Sequence, residues 1–440
     1  LAVSLKQNGV IVSGTDDTIP DNLKSRLKVN ELLPADTKWH PDAITPEIEA
    51  IVVSVNVKPN NPELQKAHKL GIKIYSYPEF IYELCKDKIR IVISGSFGKT
   101  TITSIVIHAL KTNDITTDFL IGADTNEQDS TLCLTPNSYS IIIEGDEQLA
   151  SYIDRRPAFH LYKPHIALIT GIAWDHVEIY QSFYEYIEQF RQFIDSIEPN
   201  GLLFYCENDI IVKRLVEEHT RADISKIPYT MHPHEIFEGR SFLKIQSGRI
   251  PLYLFGDHNL QNIAGAKHIC SELGLSNEKF YSSILTFTGI EKRMQLLARN
   301  KTSSMFFDYA QSPAKVNATL KALKKQFADN KITACLELYS YTSIDPEFLD
   351  QYMGIMQNAD EQIIYYNIEY SKKNNLEPLS DQNIKQSFGS NDVLVFTNKN
   401  YLLEYLKKKD WRKNNLIMMS ISNFDNIDLN IIKKAFISSN

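Results

Sequence analysis

At 440 residues the chain is too long for one ordinary core, and two to four domains are expected. Its 43% hydrophobic and 23% charged residues are those of an ordinary globular protein, not of a disordered or membrane-embedded one. A net charge of −7 argues against non-specific nucleic-acid binding but not against a local cationic pocket for a small anion.

The pattern opens with a helix, LAVSLKQNG (1–9), closed by Gly9 and followed by a strand, VIVSG (10–14). A doubly wound domain has a strand and a glycine-rich turn before its first helix. Those pieces do not precede Leu1, so this Rossmann-like domain is expected to lack its first strand here. Strands AIVVSV (50–55) and IKIYS (72–76) come next, with a helix NPELQKAHKLG (61–71) between them that stops at Gly71. A second unit begins at IRIVISG (89–95) and continues with the strands SIIIEGD (140–146), HIALITG (165–171) and GLLFYC (201–206). The helix SFYEYIEQFRQFI (182–194) lies between the last two.

Beyond Arg293 come the strands MFFDYA (305–310), TACLEL (333–338), EQIIYYN (361–367), DVLVFT (392–397) and NLIMMSI (415–421). The helix PAKVNATLKALKKQF (313–327) lies among them, and SKKNNLEPLSDQN (371–383) reads as a surface loop. Strands alternating with amphipathic helices predict an α/β fold with parallel sheets. Three domains are expected: residues 1–87, 88–292 and 293–440. No apolar run approaches a membrane span and no signal peptide is seen, so a cytoplasmic protein with no membrane partner is expected. The five cysteines are widely spaced without a CxxC pair and are read as buried free thiols in a reducing compartment.

GSFGKTT (95–101) comes after a strand and starts the helix TTITSIVIHALK (100–111). Backbone N–H groups at such a helix start hold phosphate oxygens, with help from the helix dipole. Lys99 is placed to reach the outer phosphates and the Thr100 hydroxyl to hold Mg²⁺. The full phosphate-loop pattern needs glycine six residues before the lysine, where this chain has Ile93. EGDE (144–147) ends a parallel strand, where ligands bind; a cation site and a plain acidic loop are equally compatible with it. Asp175-His176 comes after another strand, and an isolated histidine is more often structural. In GDHNLQNIAGA (256–266) side-chain amides can read an adenine edge, though helix capping by Asn259 is the simpler reading.

In this order, GSFGKTT, EGDE, DH, GDHNLQNIAGA, Arg293 and DYAQSP (308–313) resemble the Mur ligase family over nearly the whole chain. The resemblance implies an ATP-dependent, Mg²⁺-using ligase of cell-wall synthesis. It would join an amino acid or peptide to UDP-N-acetylmuramate through an acyl phosphate. It also implies a Rossmann-like UDP-sugar domain, a central ATPase-type domain and a C-terminal Rossmann-like domain that receives the amine.

By resemblance, Gly95, Gly98, Lys99, Thr100 and Thr101 hold the phosphates. Thr100, Glu144 and His176 hold metal, while His258 and Asn262 face adenine. Arg293 reaches the γ-phosphate, Asp308 the ribose, and Tyr309 packs near the base. VSGTDD (12–17), with Asp16, and Ser54 in AIVVSV stand where this family's UDP-sugar domain binds its substrate. DRRPAFHLYKP (154–164) resembles a segment of the murein peptide ligase subgroup, which attaches L-Ala-γ-D-Glu-meso-diaminopimelate; alanine-adding relatives lack it.

Departures are also visible. Phe97 replaces a histidine, Gln311 stands in a histidine-rich pattern, ELYSY (337–341) replaces an EPR-type one, and MSISNFDN (419–426) a glycine-rich turn. The helix after DH has no lysine for carbamylation. The alternatives are therefore an L-alanine ligase and a nucleotide-binding paralogue without ligation, with a monomer or weak dimer expected in each case.

Overall fold

The computed structural model describes residues 1–439 apart from 123–130, 175–178, 238, 340, 345 and 374–376. The chain divides into two compact units. The first is Leu1–Ile172 with Ser182–Thr230 and Gly265–Phe280; the second is Ala173–Gln181 with Met231–Ala264 and Tyr281–Asn440.

In the first unit, β1 (Ala50–Val53) and β2 (Lys73–Ser76) form a parallel pair. Between them the helix Pro62–Leu70 is capped by the Asn61 side chain and ends at Gly71 in the left-handed region, as its sequence predicts. The expected strand at 10–14 does not form: that stretch is irregular, with Ile11 fully exposed. A short apolar run becomes a strand only when a neighbour supplies ladder hydrogen bonds, and none of the described residues pairs with it.

The larger sheet of this unit comprises β3 (Ile89–Ser94), β4 (Asp118–Leu120), β5 (Leu132–Cys133), β6 (Ser140–Glu144), β7 (Ile166–Ile169), β8 (Leu202–Cys206) and β9 (Ser225–Tyr229). Their order is β5-β4-β6-β3-β7-β8-β9, parallel except at the β4–β5 edge. Ile91, Val92, Ile93, Ile141, Ile142 and Ile143 are fully buried, because a parallel strand covered on both faces needs an unbroken apolar run. Later strands add on both sides of β3, so the loop after it opens where ligands bind in such sheets.

The second unit contains an antiparallel sheet of β10 (His234–Phe237), β11 (Arg240–Ile245) and β12 (Gly248–Pro251), which the sequence reading did not place. Its main sheet holds β13 (Gln295–Arg299), β14 (Ser304–Asp308), β15 (Lys331–Leu338), β16 (Glu361–Tyr366), β17 (Leu394–Phe396) and β18 (Asn414–Met419). The order is β13-β14-β18-β15-β16-β17, parallel except at β13.

Alternation along these strands splits the core in two. Phe306, Leu336, Ile364 and Ile417 pack on one face, while Phe307, Cys335, Ile363 and Met418 pack on the other. The expected surface loop at 371–383 is corrected in part. Ser371 lies in the helix Ile368–Lys373, fully buried and 2.6 Å from the Tyr366 hydroxyl, and Asp381–Phe388 is a helix capped by Ser380. A buried hydroxyl partner outweighs the polar composition of the segment.

Of the five cysteines, all free, four are buried and Cys133 is half-buried. Among the described residues no helix is long and apolar enough to cross a membrane.

Candidate functional site

The phosphate-loop reading rests on the turn that leaves β3. Gly95 has φ +126°, and a Cβ there would collide with Thr170 and the Gly171 carbonyl. Gly98 has φ +82° and precedes the helix Lys99–Lys111. Both positions need glycine for conformation, the first for space as well.

The Lys99 ammonium donates to the Gly95 carbonyl at 2.8 Å and to Glu147 at 2.5 Å. Burial works against that charge, but Glu147, Asp146 and Glu144 more than offset it and hold Lys99 above its ordinary value. Thr100 Oγ1 donates to Glu144 Oε1 at 2.7 Å, and the other carboxylate oxygen accepts Gly122 N–H at 2.7 Å. Thr101 is half-buried in the first turn of the helix. The structure thus brings Lys99, Thr100 and Glu144 together, with paired hydroxyl and carboxylate oxygens that suit a hard cation. His176, the other expected metal ligand, lies outside the described residues, as does Asp175.

Phe97 is held in place by the end of β7. Its carbonyl accepts the Thr170 hydroxyl at 2.5 Å, and Ser96 N–H donates to the Gly171 carbonyl at 2.9 Å. A Cβ on Gly171 would overlap the Phe97 ring and lie 3.0 Å from Asp209 Oδ2. Sequence reasoning missed this clamp; its signal was the small pair Thr170-Gly171 straight after an apolar strand. Also missed was Tyr186, fully buried on the helix Phe183–Asp195. Its hydroxyl lies 2.9 Å from Ser96 Oγ and 3.0 Å from Glu147 Oε1.

In the second unit, Gly256 adopts φ +92° before the helix Asp257–Glu272, and a Cβ there would meet Ala322 Cβ at 2.6 Å. Asn259 lies inside the helix, and its amide donates to the Phe255 carbonyl at 2.9 Å, so the capping reading is corrected. The Asn262 amide approaches Asn259 Oδ1 at 3.4 Å. Burial lowers the His258 pKa although Asp308 and Asp257 pull it upward, so His258 is neutral near pH 7.

Asp308, at the end of β14, accepts Thr319 Oγ1 at 2.5 Å and Met294 N–H at 3.1 Å, which fixes its orientation. The Arg293 guanidinium lies over the Tyr309 ring at 5.5 Å, on a turn whose flanking Lys292 and Met294 have φ of 59° and 48°. Asp16 is exposed and accepts a local bond from Thr18 N–H, and Ser54 is exposed.

At the carboxyl end of β15, buried Glu337 accepts bonds from the Ser420 hydroxyl, the Ser422 hydroxyl at 3.0 Å and Phe424 N–H at 2.7 Å. Burial raises the Glu337 pKa above its ordinary 4.5, with Asp425 adding to the shift and the hydrogen bonds opposing it. The turn it holds is unusual. Asn423, Phe424, Asp425 and Asn426 all have positive φ, between 52° and 86°, without one glycine. Asp425 accepts the Tyr365 hydroxyl and the Asn367 amide, both at 2.5 Å. Tyr339 stacks on Tyr370 with ring centroids 4.3 Å apart. Gln311 Oε1 is buried without a hydrogen-bond partner among the described residues.

The Mur ligase middle domain model matches residues 93–270, a span that begins at the phosphate loop. Over 377 residues the chain is 26% identical to the UDP-N-acetylmuramate–L-alanine ligase of Carboxydothermus hydrogenoformans, covering 83% of this chain and 78% of that one. Two solved structures share the fold. A murein peptide ligase from Psychrobacter arcticus has a TM-score of 0.65 at 19% identity, covering 99% of this chain and 95% of that one. The UDP-N-acetylmuramate–alanine ligase of Thermotoga maritima has a TM-score of 0.68 at 17% identity, covering 98% and 95%. Residues 93–270 are thus a Mur ligase middle domain that begins at the phosphate loop, and the chain is similar over most of its length to Mur ligases, which are ATP-dependent ligases that form amide bonds.

Proposed function

We propose that this ligase joins a short peptide, L-Ala-γ-D-Glu-meso-diaminopimelate, to the carboxylate of UDP-N-acetylmuramate by way of an acyl phosphate. The observation that carries the ATP half of the reaction is the Lys99–Thr100–Glu144 group at the start of a helix after β3. Lys99 and the helix N–H groups neutralise the outer phosphates as charge builds there, and positioning supplies most of the rate. Mg²⁺ on Thr100 and Glu144 would supply further shielding between the anionic reactants. Arg293 is assigned to the γ-phosphate, Asp308 to the ribose, His258 and Asn262 to the base with Tyr309 alongside, and Asp16 and Ser54 to the UDP-sugar.

The choice of a peptide is supported by residues 154–164, which are built into the first unit. Phe159 is fully buried against Phe190 and Phe193, and Arg156 pairs with Asp154 at 2.6 Å. A second reading, addition of L-alanine, is favoured by the name of the Carboxydothermus relative. ADP release measured with UDP-N-acetylmuramate and either amine separates the two. Turnover with the tripeptide supports the proposal, and turnover with alanine alone replaces it by the second reading. ADP binding without turnover on either amine identifies a paralogue that has lost ligation.

A further inference from the structure

The phosphate-loop lysine has a partner set that goes beyond holding phosphate. Its ammonium carries three N–H donors, and two are committed to the Gly95 carbonyl and Glu147. The third makes no hydrogen bond among the described residues. Glu147 is 1% exposed, and its second oxygen takes the Tyr186 hydroxyl. An ionised carboxylate only accepts, so Tyr186 donates to Glu147 and Ser96 in turn donates to Tyr186. Every proton direction in the chain Ser96–Tyr186–Glu147–Lys99 is therefore set, and both ends of that chain lie in the phosphate loop.

We propose that Glu147 and Tyr186 are positioning residues: they brace the loop from outside and aim the remaining Lys99 N–H at a nucleotide phosphate, with Glu147 weakening nucleotide affinity as it does so. The inference rests on the nucleotide-binding reading of the loop. A free lysine side chain loses rotamer freedom when it is fixed, and here that ordering precedes ligand binding. A carboxylate 2.5 Å from the ammonium also offsets part of its pull on phosphate. Aim and affinity thus move in opposite directions when the charge is removed, whereas loss of a merely structural bond weakens both.

The test uses the full chain with ADP–Mg²⁺ titrated calorimetrically, and ADP release at saturating ATP as the rate. Glu147→Gln is expected to bind ADP about threefold tighter while its turnover falls about tenfold. Tyr186→Phe is expected to keep its ADP affinity within about twofold and lose about threefold in turnover. Glu147→Asp, which keeps the charge but shortens the reach, is expected to lower turnover without tightening ADP, and it serves if the Gln variant does not fold.

Parallel weakening of binding and turnover, or no change in either, overturns the proposal. If the unaltered chain binds ADP but does not turn over, the affinity arm decides: tighter binding by Glu147→Gln supports the proposal, and equal or weaker binding overturns it. No ADP binding by the unaltered chain removes the loop reading itself, a separate and visible result.

Discussion

Phe97 stands at the centre of the phosphate loop, and its surroundings explain how the loop keeps its shape with an aromatic ring there. The ring rests on Gly171 and the carbonyl takes the Thr170 hydroxyl, so Phe97 is anchored away from the Lys99 and Thr100 hydrogen bonds. Space for the ring exists only because residue 171 has no side chain. Gly171→Ala would force the ring aside and crowd Asp209, and such overpacking costs roughly 1–3 kcal/mol. The expected result is a lower melting temperature and weaker ADP binding, read by calorimetry on the same preparation. Unchanged ADP binding would mean that the clamp does not shape the loop.

At the scale of elements, the end of β15 carries a carboxylate whose titration reaches the stability of the second unit. Burial raises the pKa of Glu337 above its ordinary 4.5, so the folded state holds this proton more tightly than the unfolded one. The stabilisation from protonation is complete below 4.5 and is lost as pH rises through the raised value. This group therefore makes the fold less stable at pH 7 than near its unfolded pKa. Glu337→Gln is expected to flatten that part of the pH dependence in urea unfolding as pH rises above 4.5. At pH 7 the variant should also be less stable by about 1–3 kcal/mol, because an amide cannot accept all the bonds from Ser420, Ser422 and Phe424. An identical pH slope in the two proteins would show that Glu337 does not titrate in this range.

For the whole molecule, a ligand that binds only the folded chain must stabilise it. ADP at about a hundred times its Kd is expected to add about 2.7 kcal/mol, visible as a rise in melting temperature. No rise would argue against nucleotide binding. The sheets were legible because parallel strands buried on both faces read as unbroken apolar runs, as in β3, β15 and β18. The phosphate loop was legible because its residues are consecutive. What escaped was contact between distant positions: Thr170 lies 73 residues from Phe97, and Tyr186 lies 39 from Glu147. Periodicity carries no record of such pairs. The run at 10–14 failed for the opposite reason, since its composition suits a strand while its pairing depends on a neighbour elsewhere.

The glycine-free turn at 423–426 has a consequence for folding order. Each left-handed residue costs roughly 1–2 kcal/mol locally, so the turn has no reason to form alone. Its anchor, Glu337, is 87 residues away from Phe424 and meets it only once β15 and β18 have paired. The turn is therefore expected to lock late, after the transition state. Substitutions within it are expected to accelerate unfolding while leaving the refolding rate almost untouched.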